Sequence, residues 1–550
     1  MKQKVLKIHP DDSVLVALTD LQAGETVEWQ GLTLTLKEAI QAKHKLAIRD
    51  FEPGDAVTMY GVLVGKMKHA IPAGGLLTTF NVQHATNSYD LAASNYTWTP
   101  PSVERWENRT FKGYHRSDGS VGTGNYWLVI PLVFCENRNI QVLEEALVHD
   151  LGYARRHAYQ HQTHELMALV QAGHTIEEVL QADLQQAVTE HARPKLFPNV
   201  DGVKFLAHEG GCGGTRQDAQ ALCGMLAGYI TNSNVAGATV LSLGCQNAQV
   251  AILQEEIQKR SPQFDKPLYI LEQQKIGTEE SLISQALRQT FAGLMQANAF
   301  TRQPAPLSKL TLGLECGGSD GFSGISANPA LGHASDLLIA MGGKVILAEF
   351  PELCGVEQEL CDRSVDTATA TRFRELMNTY AQRAQEAGSG FDMNPSPGNI
   401  RDGLITDAMK SAGAAKKGGN SPVVAVLDYP ELVTKPGLNL LCTPGNDVES
   451  TTAEVASGAT VVVFTTGLGT PTGNPITPVI KVSSNTALAR RMPDIIDLNT
   501  GTVIDGEETI EQAGERILEY IIRVASGEEE VAAVRHGQND FIPWKRGVSL

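Results

Sequence analysis

The sequence predicts an α/β protein in which a small β-rich domain precedes two larger α/β parts. Residues 1 to about 95 contain short alternating apolar segments separated by Gly and Pro turns, for example Glu52-Pro53-Gly54-Asp55, and this pattern is typical of short strands. From Trp127 onward, continuous apolar segments of strand length alternate with segments of helical spacing. That alternation indicates a parallel sheet with helices on both of its faces.

The composition is that of a globular protein and argues against several classes of partner. The chain has 550 residues, of which 42% are hydrophobic and 19% are charged, with a formal net charge of −17. At roughly 150 residues per domain, three or four domains are expected. The acidic balance disfavours nucleic acid and membrane surfaces as partners. The N-terminus lacks the apolar core of a signal peptide and no run of about 18 apolar residues occurs, so we expect a cytoplasmic protein. The sequence leaves the oligomeric state open, and a homo-oligomer is one of the alternatives.

Changes of pattern divide the chain into four segments. We predict a β-rich domain at residues 1–95, a linker at 96–110, a parallel α/β catalytic domain at 111–390, and a C-terminal α/β domain at 391–550 that completes the active site. The double proline Pro100-Pro101 excludes a regular helix in the linker. The predicted strands of the α/β domains are Trp127–Phe134, Val203–Ala207, Ala238–Leu243, Leu268–Leu271, Leu310–Leu314, Val345–Ala348, Val423–Leu427, Leu438–Cys442, Thr460–Thr465 and Val479–Val482.

Polar or thiol residues follow five of these strands directly. They begin at Cys135, His208, Gly244, Glu315 and Glu349. Because ligands bind outside the carboxyl ends of parallel strands, the five ends predict one shared crevice. Each residue also has a structural alternative: His208 could cap the next helix with satisfied hydrogen bonds, and a free cysteine most often fills a small buried space.

The segment from Tyr114 to Tyr126 concentrates His, Arg, Asp and Asn just before a buried strand. One interpretation is an anion clamp in which Arg116 holds a carboxylate through two hydrogen bonds. The alternative is a β-turn at Asp118-Gly119 with ordinary solvated polar residues.

These residues also carry a resemblance to a known family. Residues 113–140, GYHRSDGSVGTGNYWLVIPLVFCENRNI, resemble the RxDGRVGTRNY segment of the altronate/galactarate dehydratase family. The resemblance continues in the same order to about residue 525 through HEGGCGGT, LGLECGGSDGFSG, NPSPGN, KGGNSPV, TPGNDVESTT, TTGLGTPTGNP and IKVSSNT. The first ninety residues resemble the SAF-type β domain that precedes the catalytic part. The fold that the resemblance implies is a SAF-like domain, a Rossmann-like parallel α/β domain and a C-terminal α/β domain.

The resemblance implies a metal-dependent hydro-lyase that acts on a sugar acid. The expected reaction is dehydration of D-altronate to 2-dehydro-3-deoxy-D-gluconate in galacturonate catabolism, with galactarate as the alternative substrate. The expected cofactor is a divalent metal ion, Fe²⁺ with Mn²⁺ as a substitute, because an ion stabilises the charge that develops when the C2 proton leaves.

The resemblance and the residue types together suggest roles for individual residues. The candidate catalytic residues are His208, His115 and Lys481; the candidate substrate-binding residues are Arg116, Asn125, Ser319, Asp320, Ser323 and Asn485; the candidate metal ligands are His208, Glu315, Glu349, Cys212 and Cys245. Imidazole suits both iron binding and proton transfer, which makes His208 the first candidate.

Two departures from the family pattern bear on these assignments. A His-x-His-x-His run in the leading domain is replaced by Leu76-Leu77-Thr78-Thr79-Phe80, and the arginine of GTRNY is Gly124. A different class of enzyme, an iron–sulfur hydro-lyase, would draw its ligands from Cys135, Cys212, Cys245 and Cys316, whose spacing matches no cluster motif.

Overall fold

The computed structural model describes residues 3–91, 96–156, 158–184, 190–191 and 193–550. It confirms the predicted fold class: small antiparallel sheets form the N-terminal part, and two parallel sheets with helices form the rest. Within the described residues, no helix is both long and apolar enough to cross a bilayer.

The N-terminal part consists of short antiparallel strands joined by turns. Its strands are β1 (Val5–Leu6), β2 (Val14–Ala17), β3 (Thr26–Trp29), β4 (Leu32–Thr35), β5 (Lys45–Ala47), β6 (Ala56–Met59), β7 (Val62–Met67) and β8 (Val82–Gln83). They form the sheets β1-β2-β5, β3-β4 and β6-β7-β8. Alternate residues of β6, Val57 and Met59, are buried, since successive side chains of a strand point to opposite faces.

The middle part contains a four-stranded parallel sheet. Its strands are β9 (Thr110–His115), β10 (Val121–Gly122), β11 (Tyr126–Pro131), β12 (Arg155–Arg156), β13 (Glu190–His191), β14 (Gly202–Phe205), β15 (Val235–Ser242), β16 (Leu268–Glu272) and β17 (Gln303–Pro306). Its helices are α1 (Asn137–Leu147), α2 (Ala158–Gln171), α3 (Ile176–Leu180), α4 (Arg216–Thr231), α5 (Val250–Arg260), α6 (Gln273–Ile276) and α7 (Glu279–Ala297). The parallel sheet has the order β14-β11-β15-β16, and β10-β9-β17 form an antiparallel sheet.

The C-terminal part contains a seven-stranded parallel sheet. Its strands are β18 (Thr311–Cys316), β19 (Lys344–Leu347), β20 (Val423–Leu427), β21 (Gly437–Leu441), β22 (Val461–Thr466), β23 (Val479–Ser483) and β24 (Leu498–Asn499), in the order β20-β21-β19-β18-β22-β23-β24. Its helices are α8 (Ala327–Ala340), α9 (Glu357–Asp362), α10 (Thr367–Glu386), α11 (Pro397–Arg401), α12 (Asp407–Ala414), α13 (Asp447–Ala456), α14 (Thr486–Arg491), α15 (Gly501–Asp505), α16 (Ile510–Ala525) and α17 (Ala532–Arg535).

This sheet corrects the predicted boundary near residue 390. β18 and β19 lie before that residue, yet β18 pairs with β22 and β19 pairs with β21. The strands of one parallel sheet can be far apart in sequence, because each connection must cross the sheet and return. The looser sequence rhythm after residue 390 therefore reflects long loops and not the start of another sheet.

The N-terminal domain packs onto loops at the carboxyl ends of the seven-stranded sheet. Lys43 Nζ lies 3.0 Å from Asp320 Oδ2 and 2.7 Å from Asp402 Oδ1. Lys45 Nζ donates to the Gly403 carbonyl oxygen at 2.7 Å. These contacts join the small domain to the edge where a parallel sheet binds its ligands.

Candidate active site

A group of buried charged side chains lies at the carboxyl ends of β18 and β19. We call it the buried cluster, and its members are Glu315, Cys316, Glu349, Glu352, Lys410 and Lys417. Acidic residues and lysines are almost never fully buried unless they are paired. Their collection at this edge of the sheet marks a functional site.

The chain brings the members of the cluster together from four segments. Glu315 and Cys316 end β18, and Glu349 follows β19 by two residues. Glu352 lies in the 3₁₀ turn Phe350–Leu353, Lys410 lies in α12, and Lys417 lies in the 3₁₀ turn Ala415–Gly418.

The backbone of Glu349 adopts a conformation that is rare for a residue with a side chain. Its φ is +62° and its ψ is +59°, in the left-handed region. This conformation costs on the order of 1 kcal/mol and persists only where the surroundings hold it. Here Glu349 N donates to Thr443 Oγ1 at 2.8 Å, and Cys316 N donates to Glu349 Oε2 at 3.2 Å. Such strain is concentrated at functional sites.

Short contacts link the cations of the cluster to its acidic groups. Lys417 Nζ lies 2.6 Å from Glu349 Oε2 and 2.9 Å from Cys316 Sγ. Lys410 Nζ lies 2.6 Å from Glu352 Oε1, and Cys316 Sγ lies 3.2 Å from Glu352 Oε2. One thiol, two carboxylates and two ammonium groups are therefore in mutual contact.

Acidic groups outnumber the two lysines in and around the cluster. Glu454 and Asp447 lie beside it, so burial and the charges of Glu349 and Glu454 hold the pKa of Glu315 well above its usual range. Burial and the charge of Glu352 raise the pKa of Glu349 to about 7, although Lys417 opposes the shift. Burial, again with the charge of Glu352, raises the pKa of Asp447 to about 6. The site therefore contains fewer cationic than acidic groups.

The cluster has the donor atoms for a divalent metal ion. One ligand atom each from Cys316, Glu349 and Glu352 lie within 4.8 Å of one another. Glu349 Oε1 and Glu315 Oε2 are buried without a hydrogen-bond partner. An unpartnered buried carboxylate oxygen is costly, and a cation removes that cost. Thiolate and carboxylate ligands together suit a transition-metal ion.

Asp320 forms a second polar centre next to the cluster. Its Oδ1 accepts from Ser484 Oγ at 2.7 Å and from Ser323 Oγ at 2.9 Å. Its Oδ2 accepts from Asn485 Nδ2 at 3.0 Å and faces Lys43. Asp320, Ser323 and Asn485 were predicted to bind substrate, and the structure brings them together, but their polar atoms bind one another. Asn485 also caps α14, since its Oδ1 accepts from Leu488 N at 2.8 Å.

Comparisons with known proteins agree with this architecture. Three protein-family models match the chain. The altronate/galactarate dehydratase SAF domain matches residues 3–85, and the second domain of D-galactarate dehydratase/altronate hydrolase matches residues 113–298. The C-terminal part of D-galactarate/altronate dehydratase matches residues 307–549. Altronate dehydratase of Bacillus subtilis (strain 168) is 33% identical over 99% of both chains. The chain belongs to the altronate/galactarate dehydratase family.

Other members of this family are equally similar to the chain. Altronate dehydratase of Escherichia coli (strain K12) is 33% identical over 99% of both chains. Galactarate dehydratase (L-threo-forming) of the same organism is 32% identical over 97% of this chain and 94% of the relative. The resemblance found in the motifs is confirmed, and the chain is a sugar-acid hydro-lyase of this family. Near-equal identities to both kinds of relative do not separate altronate from galactarate as the substrate.

The five predicted strand ends belong to two different sheets in this member of the altronate/galactarate dehydratase family. β11, β14 and β15 belong to the four-stranded sheet, whereas β18 and β19 belong to the seven-stranded sheet. Cys212 and Cys245 are exposed and follow strands of the first of these sheets, whereas Glu315 lies at the end of β18 and Glu349 follows β19 in the second. The cysteines considered for an iron–sulfur cluster are divided in the same way. Among these cysteines, and within the described residues, only Cys316 lies in a group with two further candidate ligands, Glu349 and Glu352.

His208 is held by backbone groups on both ring nitrogens. Its Nε2 donates to the Pro131 carbonyl oxygen at 2.7 Å, and its Nδ1 accepts from Gly210 N at 3.0 Å. Burial lowers its pKa to about 4. Both ring nitrogens therefore have backbone partners although His208 lines a cavity of about 550 Å³, and its role as metal ligand or base stays a prediction. The ring ties the glycine-rich loop to the end of β11.

We expect the His208→Ala variant to lose stability while it keeps its kcat. Two buried backbone groups lose their partners, which costs about 2–4 kcal/mol of unfolding free energy. The pKa of His208 in the folded protein lies below the ordinary value of 6.5. The contribution of the neutral imidazole to the free energy of unfolding is therefore complete above pH 6.5 and falls by about 3 kcal/mol as the pH drops to 4. Urea unfolding at several pH values measures both effects, with the exposed His115→Ala as the control. A hundredfold fall of kcat in His208→Ala would contradict this structural role.

Arg116, Asn125 and His115 lie apart from the buried cluster. Arg116 Nε donates to the Ser233 carbonyl oxygen at 2.8 Å, and its Nη2 donates to Asn125 Oδ1 at 3.0 Å. Asn125 precedes β11 and therefore lies at the amino end of its sheet. His115 Nε2 contacts the Pro304 carbonyl oxygen at 3.1 Å. The arginine that was predicted to clamp a carboxylate instead joins the β9–β10 hairpin to the sheet.

Lys481 and Ser319 lie nearer to the cluster. Lys481 Nζ donates to the Thr472 carbonyl oxygen and lies 5.1 Å from the centre of the Phe464 ring. Burial lowers its pKa to about 8. Ser319 is buried, and its carbonyl oxygen accepts from Asn399 Nδ2 at 2.8 Å. Lys481 stays a candidate for proton transfer.

Sequence reasoning did not include Glu352, Lys410, Lys417 or Asp447 among the site residues. Lys410 and Lys417 are seven residues apart and lie in the segment that leads into KGGNSPV. That spacing places them on one side of a helical segment, which was the available signal. It is weak, because lysines with this spacing usually face solvent.

Proposed function

We propose that the protein dehydrates D-altronate to 2-dehydro-3-deoxy-D-gluconate in the cytoplasm, as a step of galacturonate catabolism, and that Fe²⁺ is its cofactor. The buried cluster carries the proposal, because it combines candidate metal ligands with lysines and carboxyl groups of shifted pKa at the ligand-binding edge of a parallel sheet. Two altronate dehydratases that are 33% identical and a galactarate dehydratase that is 32% identical support a sugar acid as the substrate, and D-altronate is the sugar acid that we propose.

The chemistry requires removal of a weakly acidic proton and loss of a hydroxyl group. The C2 proton of an aldonate lies next to the carboxylate, so its removal places a second negative charge on the same group. A divalent ion, held by Cys316, Glu349 and Glu352, would act as a Lewis acid toward that charge.

We infer that Lys417 accepts the C2 proton. Its Nζ touches Cys316 and Glu349, two of the proposed ligands. Burial alone would lower the pKa of Lys417, but the charges of Cys316, Glu349 and Glu352 outweigh burial and raise it. A bound cation would offset the charges that raise this pKa, and Lys417 would then hold the C2 proton on its Nζ.

We infer that Asp447 donates the proton that the departing C3 hydroxyl requires. It is the first residue of α13 and is half-buried, so it can reach a bound substrate. Its pKa of about 6 lies in the range suited to acid–base catalysis near neutral pH. Within the cluster, burial and the charges of Glu349 and Glu454 raise the pKa of Glu315, which favours its uncharged form.

A substrate panel tests the proposed function. Protein treated with chelator is incubated anaerobically with D-altronate, galactarate and other aldonates or aldarates, with Fe²⁺, Mn²⁺ or no metal, and the 2-keto-3-deoxy acid is measured. We expect turnover of D-altronate with Fe²⁺ and none without metal, with the melting temperature largely kept. Faster turnover of galactarate would assign the diacid as substrate. Full activity in the presence of chelator would refute the metal-dependent mechanism.

A further inference from the structure

A second group of candidate ligands lies between the N-terminal domain and the seven-stranded sheet. One ligand atom each from His84, Cys354 and Asp407 lie within 4.8 Å of one another. His84 follows β8, Cys354 follows the 3₁₀ turn Phe350–Leu353, and Asp407 is the first residue of α12. None of the three belongs to the buried cluster.

Asp407 lacks the partners that a buried carboxylate needs. The residue is 0% exposed, and apart from the thiol of Cys354 neither Oδ1 nor Oδ2 has a hydrogen-bond partner. Burial and the charge of Glu352 hold the pKa of Asp407 well above its usual range. A carboxylate in this position is either protonated or neutralised by a cation.

Contacts between the two domains hold the three ligands close together. Thr406 Oγ1 donates to the Val64 carbonyl oxygen at 2.7 Å, which joins the start of α12 to β7. Ala408 N approaches His84 Nδ1 at 3.4 Å. A Cβ atom added to Gly355 would lie 3.0 Å from Thr86 Cγ2 and 3.2 Å from Ala408 Cβ, so the segments pack without spare room. Residues from three segments therefore converge with little freedom to move apart.

The two other ligands are suited to metal binding and can be reached from solvent. His84 and Cys354 are half-buried, so an ion has a path to the site. Burial lowers the pKa of His84, which favours the neutral imidazole that binds metals. An imidazole nitrogen, a thiolate and a carboxylate match the ligands of Zn²⁺, Fe²⁺ and Co²⁺, whereas Mg²⁺ and Ca²⁺ prefer oxygen ligands alone.

We propose that His84, Cys354 and Asp407 bind a second transition-metal ion, separate from an ion in the buried cluster. The ion would also support that cluster. Asp407 precedes Lys410 by one helical turn, and Cys354 follows Glu352 by two residues. An ion that joins Asp407 to Cys354 fixes α12 against the 3₁₀ turn, and with them the contact of 2.6 Å between Lys410 and Glu352.

Cobalt binding to the full chain tests the second site. Metal-free protein is titrated anaerobically with Co²⁺, and the bound ions per chain are counted by metal analysis after dialysis, while absorption reports cobalt–thiolate bonds. We expect two ions in the wild type, and one fewer in Cys354→Ser and in His84→Ala. Cys361→Ser is the matched control, because Cys361 is a buried free cysteine outside both ligand groups, and it should bind as the wild type does.

The variants separate this site from the proposed catalytic ion. Glu349→Gln should lose the other ion and keep the one at His84. If Cys354→Ser and His84→Ala both keep the wild-type number of ions and cobalt–thiolate absorption, the second site is refuted. If the wild type binds a single ion, loss of that ion in Cys354→Ser and His84→Ala supports the second site. Loss of that ion in Glu349→Gln alone overturns the second site. Should Cys354→Ser fail to fold, His84→Ala decides. The count requires no turnover, so failure of the substrate panel leaves it unaffected.

Discussion

The Lys417→Met variant is expected to bind its metal ion but to dehydrate its substrate at least 10²-fold more slowly than the wild type. A positioned general base contributes about 10²–10⁴-fold to a rate, and methionine keeps the length and apolar stem of lysine without the amine. The fall should appear in kcat, because the substituted group acts on the C2 proton. Steady-state kinetics with saturating Fe²⁺, together with metal analysis, measure the effect.

Stability provides a second measurement on the same variant. Without Lys417, the Glu349 carboxylate loses a cation at 2.6 Å, and removal of one partner of a buried ion pair costs about 3–5 kcal/mol. The metal-free variant should therefore melt well below the metal-free wild type, and added metal should raise its melting temperature more. Lys266→Met is the control, because Lys266 donates only to backbone carbonyl oxygens at the end of α4. A Lys417→Met protein with near-normal kcat would remove Lys417 from the mechanism and leave Lys481 as the candidate base.

The Glu349→Gln variant is expected to show a different combination of effects. Glutamine has nearly the shape of glutamate but offers no negative charge. Loss of a group that only supports a metal ligand lowers metal affinity about 10–100-fold, so loss of a ligand itself should lower metal affinity at least tenfold. Turnover at limiting Fe²⁺ should fall with it. The metal-free protein should also melt at a lower temperature, because Lys417 loses the carboxylate at 2.6 Å and removal of one partner of a buried ion pair costs about 3–5 kcal/mol.

A buried carboxyl group outside the cluster provides the matched control for Glu349→Gln. Glu136 is fully buried beside the four-stranded sheet, where its Oε2 accepts from Asn139 Nδ2 at 2.7 Å. Burial raises its pKa as well. Glu136→Gln should keep the metal affinity and kcat of the wild type. Equal losses in the two variants would show that the effect comes from any buried carboxyl group and not from the cluster.

Much of the architecture can be predicted from the sequence, because strands and helices follow local patterns. The continuous apolar segments at β11, β15, β18 and β22 indicate strands buried on both faces, and the Gly and Pro turns before residue 95 indicate short antiparallel strands. The residues after β18 and β19 also indicate where a ligand would bind, and Glu315 and Glu349 do belong to the cluster. The family follows from motifs that are themselves pieces of sequence.

The tertiary structure alone decided which of these local features meet. His208 and Glu315 both follow predicted strands, but they belong to different sheets, and strand pairing is not encoded in the local pattern of either strand. The sequence suggests that Lys410 and Lys417 are solvated, but the fold surrounds them with carboxylates. It suggests that Arg116 binds an anion, but in the fold its Nε and Nη2 donate to the Ser233 carbonyl and the Asn125 side chain, and Nη1 is buried without a partner. His84, Cys354 and Asp407 are spread over more than 300 residues and share no motif. Burial and proximity between distant segments arise only when the sheets and the N-terminal domain pack, and these two properties determine the charge, hydrogen bonding and ligand geometry of each side chain.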